Sequence, residues 1–172
     1  ENGWTTVNGS LPGLGGRRVE MPLHLLSDAN PFSGGDGSNA ENAYQITTAN
    51  QLAKLAELVN DYTDDTKNGG KYADKYYGLM NDLDLRGFDP KGDNSGWVPI
   101  GTNDGSDKPF SGTFDGKGHV VKNLTINNSS LDRAGLFGLV MGTNATVKNI
   151  GVENVDISGG SWAGGLIGVN KG

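Results

Sequence analysis

A short pattern that occurs three times constrains this chain more than any other feature. It reads Met80-Asn81-Asp82-Leu83-Asp84-Leu85, then Val121-Lys122-Asn123-Leu124-Thr125-Ile126, then Val147-Lys148-Asn149-Ile150-Gly151-Val152. Each copy has an apolar residue, two polar residues ending in Asp or Asn, then apolar, any residue, apolar. A second pattern interleaves with it: Gly135-Leu136-Phe137-Gly138 returns 30 residues later as Gly165-Leu166-Ile167-Gly168. Self-similarity at periods of about 20–50 residues is the signature of stacked-repeat architectures, in which each unit buries its apolar face against its neighbours.

The unit has a physical reading. Leu83/Leu85, Leu124/Ile126 and Ile150/Val152 alternate with polar or small residues, so each pair points to one face of a strand. Aligned copy on copy, the six side chains form two buried columns. In the third copy the apolar phase then shifts, from Ile150 and Val152 to Val155 and Ile157. One strand cannot point both pairs into one core, so a corner falls near Glu153-Asn154. A similar shift places a corner at Lys122-Asn123. Asn and Asp tolerate left-handed backbone and suit such corners. Stacked on one another, Asp82, Asn123 and Asn149 are expected to form an inner polar ladder. Short strands joined by tight corners describe a coil: a mainly β, right-handed parallel β-helix of about three coils. The competing architecture is an antiparallel meander, for which Asn103-Asp104-Gly105 and Asp115-Gly116 supply turn signals.

Composition fits the coil. Only 34% of the residues are hydrophobic and 29 of 172 are glycine, lean for a globular core but adequate where every coil covers the next. The net charge of −6 leaves no electrostatic footprint for nucleic acid. No run approaches the 18 apolar residues of a membrane span. Cysteine is absent, which excludes disulfides and thiolate metal sites.

Residues 1–31 read as a linker or the end of a preceding module: Gly9 to Gly16 is rich in Gly and Pro, Arg17-Arg18 is the sole basic pair, and Trp4 and Val7 fit the end of another module. Residues 32–75 read as an N-terminal cap with a helix at about 48–60. Thr48 and Gln51 form a capping box there, and Leu52, Leu55, Leu58 and Val59 form an apolar stripe. A helix of about a dozen residues is too short to stand alone, and an open coil end needs cover, so the helix is expected to lie over the first coil. Residues 76–172 read as the coils. The chain begins at Glu1 and stops at Lys171-Gly172 just after a repeat, as a piece of a longer polypeptide would.

The order of these blocks resembles a known family. Tyr44-Gln45-Ile46, Thr48-Ala49-Asn50-Gln51-Leu52, Asn81-Asp82-Leu83-Asp84-Leu85, Trp97-Val98-Pro99-Ile100-Gly101, Phe110-Ser111-Gly112-Thr113-Phe114-Asp115-Gly116-Lys117-Gly118-His119 and Gly135-Leu136-Phe137-Gly138 together resemble the GLUG-repeat region of bacterial surface proteins. Such regions occur in adhesin-like proteins and in large secreted metallopeptidases that cleave immunoglobulin A. The resemblance covers roughly residues 32–170. It implies a parallel β-helix on an exported, multidomain cell-surface protein, and it brings no catalytic site.

Chemistry sought from the residues themselves assigns no catalytic, cofactor-binding or metal residue. His24 and His119 are the only histidines and lie in different regions; His119 reads as a turn-bonded or exposed residue. Gly159-x-Ser161-x-Ala163 lacks the helix and partners of a nucleophile elbow. Gly112 to Gly118 lacks the spacing of a phosphate loop. Asp61, Asp64 and Asp65, and Asp89, Asp93, Asp104 and Asp107, make acidic loops in which calcium is the weak alternative to plain solvation.

Two function classes follow. The first is a non-catalytic surface module that spaces or presents a binding face, with a host or matrix glycan or protein and the neighbouring domains of its own polypeptide as partners. The second is a polysaccharide-acting lyase or hydrolase, or an accessory domain of a secreted peptidase; fold alone does not choose. Acids clustered with Lys or Arg on one outward sheet would favour the enzyme. The expected contact residues are those of the 86–113 insertion, with Trp97 and Phe110, and the loop around Trp162; for Trp97 an inward-facing core position in the Trp-Val-Pro-Ile-Gly block is the favoured alternative.

Overall fold

The structure, a computed structural model, describes residues 10–11, 19–20, 22–26, 31–61, 69–103 and 106–172. The readings of Trp4, Val7, Arg17-Arg18, Asp64, Asp65 and Asp104 lie outside the described residues. The described chain is mainly β with one long helix. Its strands are β1 (Ser10–Leu11), β2 (Val19–Glu20), β3 (Tyr44–Ile46), β4 (Tyr76–Leu79), β5 (Leu83–Asp84), β6 (Thr102–Asn103), β7 (Asp107–Lys108), β8 (Thr113–Asp115), β9 (Val120–Lys122), β10 (Thr125–Asn127), β11 (Phe137–Met141), β12 (Thr146–Lys148), β13 (Gly151–Glu153), β14 (Asp156–Ser158) and β15 (Ile167–Lys171). Helix α1 spans Ala49–Asn60 and a single turn, α2, Gly69–Tyr72.

Nearly all pairing is parallel. One sheet runs β12-β8-β4-β3, another β13-β9-β5, and two pairs are β10-β14 and β11-β15. Among the described strands only β1-β2 and the hairpin β6-β7 pair antiparallel, with one isolated antiparallel bridge from Gly96 to Ile126, so the meander is not what forms. Between two strands of one sheet the chain visits the other sheets in a constant order, β8-β9-β10-β11 and then β12-β13-β14-β15. Parallel neighbours require such long crossovers.

Register corrects the alignment read from sequence. Val121–Ile126 lies in register not with Val147–Val152 but with Val152-Glu153-Asn154-Val155-Asp156-Ile157: Val121 pairs with Val152 and Ile126 with Ile157. Val147 instead pairs with Phe114. Leu83 pairs with Val121, so the column is Leu83, Val121, Val152. Leu83, Leu85, Leu124 and Ile126 are buried as expected, whereas Ile150 and Val152 are only half-buried. The Gly-Leu-x-Gly alignment holds, with Phe137 opposite Ile167. Both corners fall where the apolar phase shifts, at Asn123 (φ 58°) and Asn154 (φ 52°).

The 86–113 segment belongs to the core. Ile100 and Phe110 pair in parallel with Phe137 and Val140 on the free edge of β11, and Trp97, Ile100 and Phe110 are buried. The expectation of an inward Trp97 is met. That of Phe110 as a contact residue is overturned, because its ring packs at 5.9 Å from Tyr77 and 5.3 Å from Phe137.

Helix α1 begins as the sequence dictates. Thr48 Oγ1 accepts from the Gln51 amide at 3.2 Å. The return bond of the box shifts by one residue, since Gln51 Oε1 accepts from the Thr47 amide at 2.9 Å while its Nε2 donates to the Pro31 carbonyl. Leu52, Leu55 and Val59 are fully buried in the same apolar cluster as Ile46, Leu79 and Leu83. At the far end, Asn60 donates from Nδ2 to the Pro99 carbonyl (2.9 Å) and accepts the Gly101 amide at Oδ1 (3.0 Å). One side chain thus satisfies the backbone of the Trp-Val-Pro-Ile-Gly segment as a strand partner would.

Candidate functional site

Strands β5, β9 and β13 present their alternate residues outward, and stacking collects those residues into one polar seam. Asp82, just before the edge strand β5, joins this seam. Its Oδ1 accepts the Val120 amide at 3.1 Å and lies 3.2 Å from His119 Nδ1, and its Oδ2 is 3.3 Å from Lys122 Nζ. Lys122 also reaches Glu153 at 4.0 Å. The Val120 amide, then His119 and Lys122, hold the Asp82 carboxyl below its ordinary value of 3.8. Sequence reasoning missed this cluster, because Asp82 and His119 meet only when β5 stacks on β9. His119 is turn-bonded as expected, its amide donating to Gly116. His24 is exposed in the 3-10 turn Leu23–Leu25.

Two further acids repeat one device. Asp84 Oδ1 accepts the Arg86 amide (2.9 Å) and the Nδ2 of Asn123 (2.7 Å). Asp115 Oδ1 accepts the Lys117 amide (2.9 Å) and the Nδ2 of Asn149 (3.0 Å). Each Asp closes its own turn and holds the asparagine of the following layer. Asn123, chiefly, lowers the Asp84 carboxyl. Burial pulls the Asp115 carboxyl up, but the Lys117 amide, Asn149 and Lys148 outweigh it and leave it lowered. The inner ladder of Asp82, Asn123 and Asn149 is therefore replaced by outward Asp–Asn pairs, since the interior is filled by Leu, Val and Phe.

A second cluster surrounds Asp107. Arg133 Nη1 lies 2.6 Å from its Oδ1 and Lys171 Nζ 3.9 Å from its Oδ2, and the Arg133 bond, above all, lowers its carboxyl. Beside it Trp162 stands 62% exposed over a groove of about 370 Å³. The expectation of an exposed Trp162 loop is met. Ser161 sits in a corner, its amide on Asp132 Oδ1 and its carbonyl on the Arg133 amide, and no histidine joins it. Between the Trp97 segment and the 128–132 loop lies a groove of about 460 Å³ with Asn60, Lys91, Asn128 and Asp132 in its wall.

Among the described residues no three His, Asp or Glu side chains converge where an ion could be held. Asp93 accepts the Ser95 amide and Asp89 the Asn94 amide. Among the same residues no helix is long and apolar enough to cross a membrane.

No family model matches the chain, and no solved structure matches it. Similar proteins do exist. A stretch of 98 residues, 56% of this chain, is 34% identical to 1% of Halomucin from Haloquadratum walsbyi. A stretch of 150 residues, 85% of this chain, is 33% identical to 15% of a protein of Evansella cellulosilytica named as a Gly-rich membrane protein. The chain spans a small fraction of each relative.

Proposed function

We propose that this chain is a non-catalytic β-solenoid module of a bacterial-type cell-surface protein, a right-handed parallel β-helix of GLUG-like coils that spaces or presents a binding face. The observation that carries it is the constant order in which the chain returns to its parallel sheets, with a left-handed asparagine at the same corner of successive layers. Crossovers between parallel strands of one sheet are right-handed in about 98% of cases, which supports the hand. Helix α1 acts as the cap of the first coil. A β-solenoid leaves its outer faces free, and such faces are what repeat proteins use for binding. The Gly-rich relative is named as a membrane protein, which supports a place at the cell envelope. Partners in this reading are glycans or proteins outside the cell.

A second reading draws on one observation. Asp82, Glu153, His119 and Lys122 cluster on one outward sheet, the feature that favours a polysaccharide-acting enzyme. The surface-module reading is preferred because these groups are matched to one another and lie at the surface, Asp82 and Glu153 exposed and His119 and Lys122 half-buried, as solvated surface ion pairs do. The test is a glycan array run beside an elimination and hydrolysis assay on polyuronides. Binding without turnover supports the module. Turnover that is lost in both D82N and H119A would overturn it in favour of the enzyme.

A further inference from the structure

The same residues pass from buried to uncovered between one layer and the next. In register, Val121, Leu124 and Ile126 correspond to Val152, Val155 and Ile157. The first three are buried, while Val152 and Ile157 are half-buried and Val155 is 41% exposed. Phe137 and Leu139 are buried, while their partners Ile167 and Val169 are half-buried. The later layer keeps the apolar pattern of the earlier one without its burial.

The corner residues show what provides the cover. Arg133 (φ 61°) and Trp162 (φ 58°) both take left-handed backbone before a Gly-Leu-x-Gly strand. Arg133 is 8% exposed, whereas Trp162 is 62% exposed. Arg133 is covered by the layer that follows it: its amide donates to Ser161 at 2.8 Å, and Gly168 lies so close that a Cβ there would meet the Arg133 carbonyl carbon at 2.7 Å. A bulky side chain in left-handed backbone is strained, and strain of this kind persists where the surroundings compensate it. For Arg133 the compensation is visible in the Asp107 pair and the overlying glycine. For Trp162 it is not.

We infer that the face formed by β13, β14, β15 and Trp162 is an interaction surface for one further layer of the same construction. The inference rests on the stacked-coil reading proposed above. The structure of the existing layers states the chemistry of that partner. Its strands pair in parallel with Gly151–Glu153, Asp156–Ser158 and Ile167–Lys171, as these pair with the layer before. Its first corner is Asn or Gly, as at Asn123 and Asn154. Its Gly-Leu-x-Gly strand places a glycine on Trp162 as Gly168 lies on Arg133, because a Cβ at that point has no room.

The test extends the full chain. Residues 142–172 are repeated after Gly172, with Phe replacing the tryptophan of the added copy. The background is W4F, and a W162F version serves as the blank that isolates Trp162 emission. Covering predicts a blue shift of that emission and a severalfold fall in its quenching by acrylamide. Both should vanish when the added copy carries Val where it repeats Gly168. Hydrogen exchange of the Gly151–Glu153 amides is followed in the same samples. Protected amides with unchanged Trp162 emission overturn the inference and leave the stacked reading standing. Freely exchanging amides sink the stacked reading itself. A blue shift that grows with concentration in the unextended chain would overturn the inference by assigning the face to a second copy.

Discussion

Of the seven described non-glycine residues with positive φ, four are asparagine, and two of these, Asn123 and Asn149, donate to an aspartate of the preceding layer. Asparagine does two jobs at such a corner: it tolerates left-handed backbone, and it ties neighbouring layers together. The jobs can be separated. Asn123→Ala loses both, at about 2 kcal/mol from left-handed strain and a lost bond to a charged acceptor. Asn123→Gly loses only the bond and should cost about half as much; urea midpoints of the two variants check the split, and equal costs would mean that the backbone conformation is not what asparagine provides. The corners were legible in the sequence because tolerance of left-handed backbone is a local property of Asn. The partner was not. Asp84 lies 39 residues from Asn123, and no local rule couples them.

Helix α1 was the most legible element, since capping chemistry and a 3.6-residue stripe lie within a dozen residues, and its observed bounds, Ala49–Asn60, match the expected 48–60. Strand register was not legible. Val121-Lys122-Asn123 resembles both Val147-Lys148-Asn149 and Val152-Glu153-Asn154, because every corner of a layer asks for the same residue types. Only the long-range ladder distinguishes a corner from its counterpart one layer on. The 86–113 segment misled in part for a related reason: its charged and glycine-rich stretches read as an insertion, yet Ile100 and Phe110 fill the core beside the expected Trp97. The helix prediction is the sharper for this. Leu55 is 0% exposed, so Leu55→Asp buries an unpaired carboxylate against Leu and Val, a cost of several kcal/mol. Soluble expression should be lost; a soluble variant with unchanged circular dichroism would mean that the stripe is not packed on the strands.

For the molecule as a whole, stability should depend on pH and on position along the stack. Asp82, Asp84, Asp107 and Asp115 are all held below the ordinary carboxyl value of 3.8, by amides, by asparagine and by Lys or Arg. The unfolded chain therefore takes up protons before the folded one does, so this contribution is fully present above 3.8 and is lost as pH falls through the lower folded values. Thermal midpoints measured from pH 6 to pH 2 should fall below that point, and the D84N/D115N pair should flatten the slope. Position along the stack matters on the stacked-coil reading proposed above, in which each layer is stabilised by the one that covers it. Leu124 and Val155 occupy equivalent places in adjacent layers, yet one is fully buried and the other 41% exposed. Leu124→Ala opens a cavity in a closed core and should cost about 2–5 kcal/mol. Val155→Ala removes side chain that water already reaches and should cost well under about 1 kcal/mol. Chemical denaturation of the two variants measures the difference directly. Similar costs would mean that Val155 is covered in solution by an element of the chain, and the gradient would then be absent.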